Sequence, residues 1–309
     1  MSSKEVSQSN RPANTAFKQQ RLKAWEPILT PAPVIITFIV IGIIFIPIGA
    51  VMLNASNQVQ EYSKRYDDIC DVGNTTCNIS IEVPKDMDAP VYMYYRLENF
   101  YQNHRRYVKS RNDNQLRGEV VTSYDQLQDC EPYKSVGDSH DPNFFYLPCG
   151  LIAKSMFNDS FTVRQSGAVV PLQKEGIAWS SDKEKKFKNP PPDTVGVRII
   201  PDFEDEDFIV WMRTAGLPDF KKLYRIINTD VKKGSIDLEI KANYPVRSFD
   251  GKKYVVFSTT TWIGGKNPFL GYAYIVVGVV CFLQGIVFLI KHKVAPRKLG
   301  DPKYLEWNK

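Results

Sequence analysis

Few residues in this chain have the types and spacing to do chemistry. Its three histidines, His104, His140 and His292, are far apart in sequence. His104 stands near Arg105, Arg106 and Asp113, a set able to move a proton, but the neighbouring Phe100, Tyr101 and Tyr107 fit structural packing better. No Gly-x-Ser-x-Gly elbow, Gly-x-Gly-x-x-Gly loop, phosphate loop or His-Glu-x-x-His pair occurs. Glu204-Asp205-Glu206-Asp207 has the charge to attract calcium but lacks the alternating oxygen ligands and turn glycine of a calcium loop, so a solvated acidic turn is expected. Asp182-Lys183-Glu184-Lys185-Lys186 is expected to be an exposed, charge-paired loop. Six residues separate Cys70 from Cys77 and eighteen separate Cys130 from Cys149, without the Cys-x-x-Cys pairs of a zinc site. No catalytic residue, metal or cofactor is expected, and the chain is not expected to be an enzyme.

The chemistry that remains is covalent maturation. Cys70, Cys77, Cys130 and Cys149 share one long polar region, whereas Cys281 lies in an apolar stretch. Four cysteines allow three pairings. Sequence proximity favours Cys70 with Cys77 and Cys130 with Cys149, closing loops valued at roughly 2.5 and 3.3 kcal/mol by chain entropy. Sequons for N-glycans begin at Asn54, Asn74, Asn78 and Asn158 in the same region. Asn54 is too close to the apolar stretch for easy transfer, and Asn74 and Asn78 crowd the first cysteine pair. Asn158, in a loop-like Asn158-Asp159-Ser160, is the favoured acceptor.

Two stretches must place this region. Residues 34–53 and 271–290 are each twenty residues without a charge, enough at about 1.5 Å per residue to cross a hydrocarbon core of roughly 30 Å. The first begins too deep and runs too long for a cleaved signal sequence and is expected to stay as a signal anchor. Lys18, Arg21 and Lys23 precede it, and Lys291, Lys293, Arg297 and Lys298 follow the second. The positive-inside rule then puts both termini in the cytosol and residues 54–270 outside it. The overall charge of +6 comes from residues 1–33 and 291–309. It is a topology signal and excludes a case for nucleic acid.

The expected layout is a cytosolic tail 1–33, a first span 34–53, an ectodomain 54–270, a second span 271–290 and a cytosolic tail 291–309. Residues 1–16 are too polar to fold alone. Residues 17–29 carry Phe17, Leu22 and Trp25 beside Lys18 and Arg21, suiting a short interfacial helix or a partner's cytosolic surface. Pro27, Pro31 and Pro33 are expected to break the helix before the bilayer, and Pro47 to kink the first span. Gly271, Gly278 and Gly285 recur every seven residues, lining a side where another backbone could approach. Neither span has an ionisable side chain, which opposes an ion path. Sheet-forming runs fall at 91–96, 161–164, 195–200, 208–214, 224–228, 236–242 and 254–262. Asp250-Gly251 and Lys232-Lys233-Gly234-Ser235 read as hairpin turns. The fold class is therefore an α+β membrane protein: two transmembrane helices and a large luminal or extracellular antiparallel β-sandwich, with short helical pieces expected at 99–110 and 219–223.

Phe17-Lys18-Gln19-Gln20-Arg21-Leu22-Lys23-Ala24-Trp25-Glu26-Pro27 followed by Phe45-Ile46-Pro47-Ile48-Gly49 resembles the start of the β-subunits of lipid-flippase ATPases, the cell-division-control-fifty or transmembrane-protein-thirty family. The resemblance continues through Tyr94-Tyr95-Arg96-Leu97-Glu98-Asn99-Phe100-Tyr101, Pro148-Cys149-Gly150-Leu151-Ile152-Ala153-Lys154, Trp211-Met212-Arg213-Thr214-Ala215 and Trp262-Ile263-Gly264-Gly265-Lys266-Asn267. Lys154 stands where the family often has Asn. The resemblance implies a non-catalytic subunit that pairs one to one with a type IV P-type ATPase and is needed for its exit from the endoplasmic reticulum. It also implies support for the cycle that moves phospholipid to the cytosolic leaflet, in reticulum, Golgi, endosomal or plasma membranes. Contact with the catalytic subunit is then expected through Phe17, Arg21, Trp25, Gly271, Gly278 and Gly285, and with membrane lipids around the spans. The rivals are a two-span ligand-gated channel subunit, which shares only the layout, and a membrane-tethered hydrolase, which needs a nucleophile or carboxylate pair not identified in the sequence.

Overall fold

The computed structural model describes residues 12–24, 30–70, 73 and 76–296. In chain order they form α1 (Pro31–Gln58), β1 (Glu61–Arg65), β2 (Thr76–Val83), β3 (Val91–Glu98), α2 (Arg105–Lys109), α3 (Asp113–Leu116), β4 (Tyr146–Leu147), α4 (Leu151–Lys154), β5 (Ser160–Gln165), β6 (Ala168–Val169), α5 (Ser180–Lys185), β7 (Val197–Arg198), α6 (Glu206–Met212), β8 (Phe220–Ile227), β9 (Gly234–Lys241), β10 (Lys252–Ser258) and α7 (Phe269–Val294). Two compact units result: one holds α1 to Val51 with α7, the other residues 52–268.

Helices α1 and α7 have 28 and 26 residues, about 42 and 39 Å of rise, more than a hydrocarbon core requires. Pro31 and Pro33 lie in the first turn of α1, and Pro27 lies outside the described residues. A proline's missing N–H costs nothing in the first turn, where no intrahelical acceptor exists.

The β domain is two four-stranded antiparallel sheets, β1-β10-β3-β8 and β2-β9-β5-β6, with a short parallel pair β4-β7 beside them. Alternation sets which face is buried. Along β3, Val91, Met93, Tyr95 and Leu97 point inward while the residues between them are only half-buried. From the other sheet Ile236, Leu238 and Ile240 of β9 enter the same core. Helical pieces and loops extend that core. Trp211 donates its indole N–H to the Ile152 carbonyl at 2.7 Å, Tyr95 stacks on Phe157 at 3.9 Å, and Phe100 packs edge-on against Tyr107 and Phe249.

Several local expectations fail for identifiable reasons. The run 208–214 is not a strand, because Asp205 caps a helix by accepting from the Asp207 N–H and buries Phe208, Ile209, Trp211 and Met212 on one face. Residues 219–223 open strand β8 and are not helical. Residues 232–235 join β8 to β9, which belong to different sheets, so no hairpin forms there. At Asp250-Gly251 the chain does turn, with Asp250 at φ 53° and the Gly251 N–H bonded to the Val246 carbonyl at 2.9 Å. The following strand β10 pairs with β1 and β3, not with residues 246–249.

One buried ion pair ties the sheets together. Lys253 of β10 and Asp159, just before β5, meet at 2.7 Å with side chains 1% and 0% exposed. The same Asp159 oxygen accepts from the Tyr66 hydroxyl at 2.7 Å, and its other oxygen accepts the N–H groups of Asn243 and Tyr244, each at 2.6 Å. Lys253 also donates to the Tyr244 carbonyl at 2.8 Å. Both Asp159 oxygens are thus met, and the Lys253 ammonium adds to its two hydrogen bonds a place over the Tyr66 ring at 5.1 Å from the centroid, the kind of compensation under which a buried charge is tolerated.

A second buried ammonium closes α6. Lys222 of β8 donates to the carbonyls of Val210, Trp211 and Arg213 at 2.9, 2.8 and 2.6 Å, where the last helical carbonyls lack partners. Burial, with Arg213 close by, pulls the Lys222 ammonium down from its usual range to about 7.

Asp159→Ala leaves Lys253 buried and unpaired and should destabilise the β domain by about 3–5 kcal/mol. Unfolding of the detergent-solubilised protein checks this, and adding Lys253→Met should restore most of the loss. A depressed lysine value means that the unfolded chain binds more protons above pH 7, so the Lys222 contribution to stability should grow as pH rises from about 7 toward 10. Stability measured across that window should lose this slope in Lys222→Met.

Candidate partner interface

On a helix, positions seven apart return to nearly the same face. In α7, Gly271, Gly278 and Gly285 are all buried. The backbone that comes close to them is that of α1. A Cβ built on Gly278 would stand 2.9 Å from Ile46 Cγ1, and one on Gly285 2.8 Å from Ile39 Cγ1. The sequence reading missed the answering glycines of α1, Gly42 and Gly49, although they too are seven apart. A Cβ on Gly42 would lie 2.9 Å from the Gly278 carbonyl oxygen, and one on Gly49 2.8 Å from that of Gly271. Phe38 against Phe288 and Phe45 against Tyr274 fill the space beside this seam, with ring centroids 5.8 and 5.0 Å apart. The glycine face is therefore occupied within the chain. What the pair offers outward is apolar, including Ile36, Ile43, Val276, Val280 and Leu283.

Of the other residues expected at a partner, Phe17 is 77% exposed and Arg21 is exposed. They bracket a single turn, closed by the Arg21 N–H on the Ala16 carbonyl at 2.7 Å, with Gln20 at φ 53°. Trp25 lies outside the described residues.

Among its described residues the β domain gathers no reactive constellation. His104 caps α2, its Nδ1 accepting from the Arg106 N–H at 3.3 Å, and His140 stacks on Tyr124 at 4.0 Å. The acidic run is not solvated: Asp205 caps α6, Asp207 pairs with Arg225 at 2.6 Å and Lys174 at 3.0 Å, and Glu206 is buried. Burial alone would raise the Glu206 carboxyl, but hydrogen bonds from Ala178 and Gly176 and the Lys183 ammonium outweigh it and hold the group below its usual range. The 182–186 segment is largely helix α5, and Asp182 is buried between Lys186 at 2.6 Å and Arg213 at 3.3 Å. A cleft of about 590 Å³ lies beside Tyr95, Phe157, Tyr224 and Arg225, whose guanidinium is already held by Asp207. Among the described residues no three metal-ligating side chains converge. The arrangement suits holding and being held.

Cys70 is bonded to Cys77 and Cys130 to Cys149, and Cys281 is free in α7. Asn78 is exposed on the edge strand β2, and Asn158 is exposed just before β5. Asn54 is exposed in the last turns of α1, but the Ser56 of its tripeptide is buried. Asn74 lies outside the described residues. Two exposed tryptophans drew no role from the sequence: Trp179, 64% exposed under the Arg213 guanidinium at 4.0 Å, and Trp262, 74% exposed.

With this geometry in hand, comparison with known proteins is decisive. The chain is 46% identical to ALA-interacting subunit 3 of Arabidopsis thaliana over 328 residues, covering 97% of this chain and 92% of that protein. It is 44% identical to cell cycle control protein 50A of Bos taurus, covering 93% and 91%. It is 36% identical to the phospholipid-transporting ATPase accessory subunit CRF1 of Saccharomyces cerevisiae, covering 99% and 92%. The profile of the LEM3 (ligand-effect modulator 3) family / CDC50 family matches residues 52–298, from the end of α1 through the β domain and α7. With most of its length matched in this way, the chain belongs to the LEM3/CDC50 family.

Proposed function

We propose that this chain is the non-catalytic accessory subunit of a phospholipid-transporting type IV P-type ATPase. It pairs one to one with the catalytic subunit, accompanies it out of the endoplasmic reticulum and supports the transport of phospholipid to the cytosolic leaflet. The observation that carries this reading is the alignment of 99% of the chain, both long helices and the β domain included, with a yeast protein named for that role. The relatives give the two-span channel reading no support.

Physically, such a subunit acts through differential affinity: it can bias the pump's cycle only by binding some pump states better than others. The basic residues Lys18, Arg21 and Lys23 support a cytosolic N-terminal segment beside the membrane, where Phe17, Arg21 and Trp25 would meet the catalytic subunit. Gly271, Gly278 and Gly285 act indirectly, by setting the spacing of the helix pair whose apolar outer faces the partner and lipid share. The β domain lies on the non-cytosolic side, where Asn158, Asn78 and Asn74 are available to a glycosyltransferase.

Affinity purification from native membrane in mild detergent is expected to recover a large P-type ATPase in equal amount, and reconstituted ATPase turnover should depend on this chain. A homo-oligomer without an ATPase would refute the assignment. Gly278→Leu should weaken co-purification by forcing α1 from α7, since even one added carbon would meet Ile46 at 2.9 Å. Trp25→Ala should weaken it while leaving the folded chain unchanged by circular dichroism.

A further inference from the structure

The stretch after β10 is not absorbed by the core or by the helix seam. Thr261 and Gly264 exchange two backbone hydrogen bonds, at 2.9 and 2.8 Å, and Gly264 sits at φ 98°, so residues 261–264 form a closed, rigid tip. At its end Trp262 is 74% exposed, with Ile263 half-buried beside it. Gly265 and the exposed Lys266 follow.

Both sides of this tip are fastened to the end of α1. On one side the Thr259 N–H donates to the Gln60 carbonyl at 2.9 Å, and the Gln60 N–H returns to Thr259 Oγ1 at 3.0 Å. On the other the Asn267 N–H donates at 3.0 Å to the hydroxyl of Ser56, which is fully buried. Ser56 lies three residues beyond Leu53, the end of the uncharged stretch, or about 4.5 Å along the helix axis. The polar layer outside the hydrocarbon is about 5–8 Å thick on each side, so the Ser56 fastening lies at headgroup depth. Only Pro268 separates Asn267 from Phe269, the first residue of α7.

We propose that the 261–264 tip is a membrane-surface anchor that seats Trp262 and Ile263 in the headgroup layer on the β-domain side. An indole, apolar with one N–H donor, partitions to that layer, and the Lys266 ammonium suits the phosphates of the same layer. A protein partner is the poorer fit. Stable interfaces bury about 800 Å² on each partner, whereas this tip offers two side chains flanked by two glycines. Anchored on both sides of the tip, the β domain gains a third attachment to the bilayer besides its two helices.

The test is Trp262→p-benzoylphenylalanine in the full chain, co-purified with its catalytic subunit and reconstituted in phosphatidylcholine vesicles. Trp179→p-benzoylphenylalanine serves as the exposed control. After irradiation, mass spectrometry should find lipid adducts at position 262 several-fold above position 179. Cross-linking of position 262 to the ATPase polypeptide, or adducts no more abundant than at 179, would overturn the anchor. Unchanged co-purification shows that the substituted chain is folded and that the subunit assignment stands apart from this result.

Discussion

A lysine and an aspartate buried between two β-sheets hold the β domain to one arrangement. Lys253 comes from one sheet, Asp159 from the approach to the other, and Tyr66, Asn243 and Tyr244 complete their hydrogen bonds. Apolar packing alone would tolerate sliding of one sheet over the other, because Ile, Val and Leu faces are interchangeable within about a side chain. A desolvated ion pair does not, since moving either partner exposes an uncompensated charge to an apolar interior. The aromatic cluster of Tyr95, Phe157 and Trp211 grows around that fixed point.

The membrane unit solves the same problem without charge. Between lipid-exposed helices there is little hydrophobic gain from association, so close backbone approach must supply the attraction through dispersion. Gly42 and Gly49 on α1 answer Gly271, Gly278 and Gly285 on α7, and a Cβ added at Gly42, Gly49, Gly278 or Gly285 would meet the other helix below 3.0 Å. The chain thus brings its own partner for the glycine face and leaves its apolar outer faces for lipid and another protein.

What could be read beforehand followed the range of the determining interaction. The spans were plain because twenty uncharged residues are a local signal, and β3 because Val91, Met93, Tyr95 and Leu97 alternate. Helix α6 was mistaken for a strand because Phe208, Ile209, Val210 and Trp211 favour sheet, although Asp205, Glu206 and Asp207 are a usable helix-start signal. Strand β1 is polar and takes its identity from pairing with β10, nearly the whole domain away in sequence, so nothing local announces it. In the candidate interface the glycine spacing was legible, but its mate was not, because a stripe does not say which backbone will cover it. Asp159 looked like the filler of a sequon, and only the tertiary fold shows it as the counter-ion of Lys253.

That last position ties the closing of the sheets to the order in which the chain is made. Asn158 is exposed, yet its immediate neighbour is the carboxylate on which the sheets close. Its counter-ion Lys253 stands 94 positions later in the chain. The lock between the sheets therefore waits for the last strand of the domain, so the first-made part of the chain is held open until its C-terminal part exists.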